Sequence, residues 1–319
     1  MTDLRCEVLR GGRVESVHHV SLAAIEHGKS VLLRGRVDEA VFMRSCAKPF
    51  QCLTTLESGA ADAYGLTAEE IAVVAGSHPG EAKHVRAVVS ILRKAKVKPE
   101  SLQCGIHPPS GSNAQRELAR AGKAPTVLHN NCSGKHSGML AAARFMRAPL
   151  ETYLKPTHPL QKNILKNLSR FTGLASGRIP QGIDGCSAPT FAVPLRTMAR
   201  ALASFCEAPG TPKRVRDAMM SHPVMVGRPC SMIMGSAPGR ILAKVGAEGV
   251  YVCGFPGRNA GLALKVEDGG ARAFLPVLNA VIRKLGWLDA ADLVGLGRAA
   301  DPVLRNHAGL RVGEVRVTI

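Results

Sequence analysis

Runs rich in β-branched residues lie at both ends of the chain, and a helix-patterned stretch fills the middle. Val14 to Val20 and Val31 to Val37, set off by Gly-Gly, His-Gly-Lys and Asp-Glu turns, predict a meander of antiparallel strands. Ile241 to Val245, Gly249 to Cys253, Leu262 to Val266 and Leu310 to Ile319 have the same character. No βαβ series alternates along the chain. The strands of the two ends must therefore meet in one antiparallel sheet, which makes the fold class α+β.

The middle carries helical periodicity at Glu81 to Lys94, His158 to Phe171, Leu195 to Phe205 and Lys213 to Met220, with a later helix at Ala271 to Leu285. Thr67-Ala-Glu-Glu70 has the pattern of a capping box. A first helix follows Ser45 and runs to about Glu57, with Gly59 as its stop signal. Lys48 precedes Pro49 and is biased away from helical dihedrals, so the helix should begin near Pro49 and leave Ser45 at its entrance. The reading is one catalytic domain with a sheet lobe (about 1–45 and 225–319) and a helical lobe (about 46–224).

Of the 319 residues, 45% are apolar and 21% charged, enough to bury a core without staples. The nine cysteines are odd in number and show no Cys-x-x-Cys pair, so free buried thiols are expected. A net charge of +18 suggests an anionic partner. The basic residues are scattered, however, aromatics are only 4%, and no nucleic-acid signature appears, so a solvated basic surface is the better reading. His27-Gly-Lys-Ser30 lacks the upstream glycine of a phosphate loop. With neither an apolar leader nor a membrane-length run, a cytoplasmic protein is expected, with no membrane partner.

Four short segments concentrate reactive groups. Ser45-Cys-Ala-Lys48 sets a serine three positions before a lysine, one helical turn apart, which is a nucleophile beside a possible base. Ala75-Gly-Ser-His-Pro-Gly-Glu81 presents Ser77 and His78 on a tight turn, or simply joins two helices. His129 to Leu140 brings Cys132, Lys135 and His136 close in sequence, and Gly182 to Thr190 adds Asp184 and Cys186. Two thiolates and a nitrogen donor suit zinc, with His136 the first nitrogen one would name and lysine an unusual choice. The plainer reading is a pair of buried thiols.

Taken in order, Arg44-Ser-Cys-Ala-Lys-Pro-Phe-Gln51, Ser77-His-Pro-Gly-Glu81, His129 to Leu140, Asp184-Gly-Cys-Ser-Ala-Pro-Thr190 and Ala263-Leu-Lys-Val266 resemble the rhizobial-type L-asparaginases, the asparaginase II family. Each motif is weak alone, but five in register over nearly the whole chain are specific. The resemblance implies a serine β-lactamase/glutaminase-like fold, with a five-stranded antiparallel sheet, a helical lobe and a homodimer. It implies Ser45 with Lys48 and Ser77 with Lys265 as two Ser-Lys tandems. It also implies zinc on Cys132, Lys135 and Cys186, Asp184 and His136 at the substrate, and L-asparagine hydrolysed through an acyl-serine. Lys244-Val-Gly246 competes with Lys265 for the second lysine. The rival readings are a β-lactamase or penicillin-binding-like hydrolase of another amide, and a non-catalytic zinc-containing binding protein.

Overall fold

In the computed structural model, which describes residues 2–300 and 302–319, the chain divides into two compact units. A sheet unit comprises Met1–Val41, Val193–Glu207 and Met232–Ile319, and a helical unit comprises Phe42–Ala192 and Ala208–Ser231. The α+β class read from the sequence is the observed one. The helix Leu195–Glu207 belongs with the sheet, although its place in the sequence put it in the helical lobe. Its apolar residues Leu195, Met198, Ala199, Leu202, Phe205 and Cys206 recur at helical spacing and are buried, and they pack on the strand Ala260–Val266.

The two ends of the chain do meet in one antiparallel sheet. Leu4–Arg10 pairs with Arg311–Thr318 in a register that sets Val8 opposite Val315. The path continues through Arg13–Glu26, Ala260–Val266 and Val250–Phe255 to Leu242–Val245, with Val303–Arg305 at the opposite edge. Lys29–Arg34 pairs with Arg13–Glu26 off that path.

Among the described residues the sheet thus has eight strands, where the family resemblance implied five. One cause is the length of Arg13–Glu26. At 14 residues it pairs with Leu4–Arg10 along its first half, and with both Lys29–Arg34 and Ala260–Val266 along its second. The other cause is the hairpin of Val303–Arg305 with Arg311–Thr318, which extends one edge.

The expected strand from Val31 to Val37 ends at Arg34, because Gly35 takes φ +67°. Gly261 marks the closest approach of helix to sheet. A Cβ there would lie 2.1 Å from the Ala199 carbonyl oxygen. Elsewhere in this unit Tyr251 packs on Phe274, the first residue of the helix Phe274–Leu285, and the only tryptophan, Trp287, sits edge-on to Phe255.

The helical unit is built around Ser133–Phe145, which is buried from Ser133 to Ala143. Its Gly, Ser and Ala residues let neighbours come close on every side. Those neighbours are the helices Lys48–Glu57, Ala68–Val74, Ala82–Lys94 and Pro159–Thr172. The capping box at Ala68–Val74 forms as the sequence indicated: the Glu70 amide donates to Thr67 Oγ1 at 3.2 Å, and the Thr67 amide to Glu70 Oε2 at 2.7 Å. The first helix begins at Lys48 with Pro49 in its first turn, and Gly59 ends it with φ +87°. Among the described residues, no helix is long and apolar enough to cross a membrane.

Candidate active site

Lys48 opens the helix Lys48–Glu57 and is 1% exposed. A lysine is buried this deeply only when its ammonium finds acceptors, and here Nζ donates to the Gly76 carbonyl at 2.7 Å, to Ser77 Oγ at 2.9 Å and to the Asn131 carbonyl at 3.4 Å. Ser45 lies in the turn of 3₁₀ helix Arg44–Ala47 just ahead, its carbonyl accepting the Lys48 amide. The lysine amine thus meets Ser77 across the fold, while Ser45 sits one turn ahead of it in the chain.

Ser77 is held from behind. The segment Ala75–Glu81 joins Ala68–Val74 to Ala82–Lys94, as the plain connecting-loop reading expected. The Ser77 amide donates to the Val226 carbonyl at 2.9 Å, and a Cβ at Gly227 would lie 2.2 Å from the Ser77 carbonyl oxygen. The next residue, His78, is fully buried, accepts the Gly80 amide at Nδ1 and donates from Nε2 to Ser133 Oγ at 2.9 Å. The Ser133 hydroxyl in turn donates to the Leu128 carbonyl at 2.9 Å. Burial, then the neighbouring His84 and Lys48, push the His78 imidazolium pKa well down, which keeps the ring neutral.

Cys132 caps the N-terminus of Ser133–Phe145. Asn130 fixes it there, accepting the Cys132 amide at 2.8 Å while donating to the Cys104 carbonyl at 2.9 Å. Cys186 comes from the other side, on the turn that joins the paired strands Gln181–Ile183 and Pro189–Pro194. Lys135 Nζ donates to Cys186 Sγ at 3.0 Å.

The two sulfurs share a hydrogen bond that pulls the Cys132 thiol well below its ordinary range and raises that of Cys186. The nearby Lys48 and Lys135 ammonium groups also favour a thiolate at Cys132. Burial depresses the Lys135 amine, but the Cys132 and Cys186 charges outweigh it and leave the pKa raised to about 12.

Asp184 opens the same turn. Its Oδ1 accepts from Arg44 at 2.8 Å and from the Gly185 amide at 2.8 Å. Burial alone would raise its carboxyl, yet Lys135 and Arg44 hold it below the usual range. Arg44 reaches it from a left-handed backbone, φ +48°.

His136 is held by a tyrosine. Tyr153 donates to its Nδ1 at 2.6 Å while accepting the Gln103 amide at 3.0 Å. The ring is fully buried and its Nε2 has no hydrogen-bond partner.

The helical unit thus brings together Lys48 with Ser77, Cys132 with Cys186 and Lys135, and Asp184 with Arg44. Lys265 belongs to the sheet unit, where it pairs in register with Ser21 and donates to the Glu248 and Val266 carbonyls at 2.6 and 2.8 Å. Lys244, in the same unit, is 1% exposed and donates to the Val245 carbonyl. Sequence reasoning passed over Tyr153 and the role of Ser133 behind His78. Tyr153 sits in a stretch of prolines and threonines with no periodicity to single it out.

A family model described as L-asparaginase II matches residues 6–317. The chain belongs to the L-asparaginase II family. No curated protein matches it. Among solved structures, this L-asparaginase II family member is similar to native Mglu, at 14% identity and a TM-score of 0.46 over 85% of this chain, and it spans 62% of the length of that protein. It is also similar to a β-lactamase from Mycobacterium bovis, at 10% identity and a TM-score of 0.37 over 84% of this chain and 95% of the other. A third is the D-alanine carboxypeptidase AmpC from Burkholderia cenocepacia, at 12% identity and a TM-score of 0.37 over 88% and 92%.

Proposed function

We propose that the protein hydrolyses the side-chain amide of L-asparagine to L-aspartate and ammonia through an acyl-serine. The observation that carries this reading is the 2.9 Å hydrogen bond between Lys48 Nζ and Ser77 Oγ, with Ser45 a turn away from the same lysine. Family membership supports an amide substrate.

In this reading Lys48, in its neutral form, takes the proton of Ser45, and Ser45 Oγ attacks the amide carbon. Lys48 then passes its proton through Ser77 to the departing nitrogen, ammonia leaves, and the ester remains. Water, deprotonated by Lys48, cleaves that ester, and Ser45 recovers its proton. Asp184, with one oxygen committed to Arg44 and Gly185, offers the other to the substrate ammonium. His136 orients the substrate. Lys265 is retained over Lys244 as the second lysine.

Cys132, Lys135 and Cys186 fit a zinc ion, because two sulfurs and the Lys135 nitrogen already converge, and a dication would take the place of the protons they now share. Among the described residues no three His, Cys, Asp or Glu side chains cluster to hold a metal, and Lys135 would have to lose its proton to act as the third donor. Bound zinc would supply a Lewis-acidic anchor for substrate. A cytoplasmic homodimer completes the reading.

The test is ammonia release by purified protein from L-asparagine and, separately, L-glutamine, with and without added zinc. Release from L-asparagine supports the proposal, and none from either amide ends it. Turnover by Lys265→Met and Lys244→Met decides which lysine takes part.

A further inference from the structure

The helix Lys48–Glu57 has a second end. There, against Pro159–Thr172, lies a polar cavity of about 230 Å³ that the chemistry above does not use. Its volume falls below the roughly 300–1,000 Å³ of sites for drug-sized ligands and suits a solute of a few heavy atoms.

Thr54 and Asn167, 2% and 5% exposed, are its buried polar groups, joined by a 3.3 Å hydrogen bond from Asn167 Nδ2 to Thr54 Oγ1. Glu57 and Arg170, paired at 2.8 Å, bring opposite charges to its lining. Lys166 also lines it and has no carboxylate partner among the described residues, and Asn163 adds an exposed amide. The wall thus offers Lys166, the Glu57–Arg170 ion pair and two amides around one cavity.

That set matches a zwitterion. An α-ammonium is drawn to Glu57 and to the negative end of the helix Lys48–Glu57, and an α-carboxylate to Lys166. Lys162, Lys166 and Arg170 recur every fourth residue along Pro159–Thr172, and their field adds preference for a ligand of net negative charge.

We propose that this cavity binds an acidic α-amino acid and reports its concentration to Lys48, about 15 Å away along a ten-residue helix. The proposal rests on the amidohydrolase reading for its regulatory meaning, since L-aspartate would be the product, while the binding site stands on its own geometry.

Titration with L-aspartate, followed by NMR of the side-chain amides of Asn163 and Asn167 in the full chain, tests it. Saturable shifts of both amides are expected. Lys166→Glu should weaken that binding about tenfold or more, the loss of one charge-assisted hydrogen bond, and Asn163→Trp should abolish it. Both substitutions fall on exposed positions. Inhibition of ammonia release by L-aspartate should then change from mixed to purely competitive in Asn163→Trp.

Amides that do not respond, or that respond equally in Lys166→Glu, overturn the site. Responsive amides with inhibition unchanged in Asn163→Trp overturn its coupling to Lys48. A cavity that binds L-aspartate in a chain that releases no ammonia would leave the site standing and remove the amidohydrolase reading.

Discussion

Lys48 is the residue on which the chemistry turns. Its amine donates to the Gly76 and Asn131 backbone carbonyls as well as to Ser77 Oγ, so the chain itself helps to set its position. Lys48→Met should keep most of the packing of the stem and lower ammonia release by about 10²–10⁴, the usual worth of a positioned base. Ser77→Ala, measured beside Ser45→Ala, divides the labour between the serines. The proposal expects acyl-enzyme in single turnover from Ser77→Ala and none from Ser45→Ala.

The sequence spacing pointed to Lys48 through Ser45, but its 2.9 Å partner is Ser77, 29 residues on. No local period carries that pairing. It exists because Gly227 and Val226 press the loop of Ser77 into place, and such backbone contact leaves no mark beyond the glycine itself. Cys132, Lys135 and Cys186 were legible as types in a pattern. Their convergence depends on a strand turn meeting a helix N-terminus, which is tertiary.

At the scale of elements, the capping box of Ala68–Val74 gives a test in which pH sets the sign. Burial would raise the Glu70 carboxyl, but its ion pair with Lys94 at 2.6 Å and the Thr67 amide hold it below the ordinary value of 4.5. A carboxyl depressed in the folded state adds stability above its unfolded pKa, and that stability is lost as pH falls through the folded value. Glu70→Gln should therefore cost about 0.5–2 kcal/mol near pH 7 by urea unfolding, and the gap from wild type should close below pH 4.5. The box was readable because a cap is a four-residue event.

The contact of Leu195–Glu207 with the sheet was not, although the helix itself was. Its partner strand lies some sixty residues on, and the close approach is marked locally by two glycines, Gly254 and Gly261. Gly261→Ala forces a methyl against the Ala199 carbonyl and should destabilise the fold by about 1–3 kcal/mol in the same unfolding assay.

For the whole molecule, the sheet seals both ends of the chain into one structure through the pairing of Leu4–Arg10 with Arg311–Thr318. The α+β class followed from where the strand-like runs fell, and the strand count did not, because a 14-residue strand that pairs on both edges looks in sequence like any other long strand. The proposed metal is a whole-molecule matter as well, since a ligand that binds only the folded chain raises its stability. Zinc at a hundredfold excess over its dissociation constant should add about 2.7 kcal/mol, read as a higher melting temperature, and Cys186→Ser should remove that gain. An unchanged melting temperature in wild type with saturating zinc would count against the metal site. The expected homodimer is read directly by light scattering on the eluting protein.

The buried helix Ser133–Phe145 bears on time as well as on place. With every residue from Ser133 to Ala143 sealed from solvent, its amides exchange with deuterium only when the helical unit opens as a unit. Cys132 at its head and Lys135 in its first turn therefore share the slow clock of unfolding, whereas Asp184 and Cys186 ride on a surface turn next to Ile183, which is 85% exposed. Hydrogen exchange should separate the two sides of the same cluster by orders of magnitude in rate, which makes the turn of Asp184 the half of the site that adjusts.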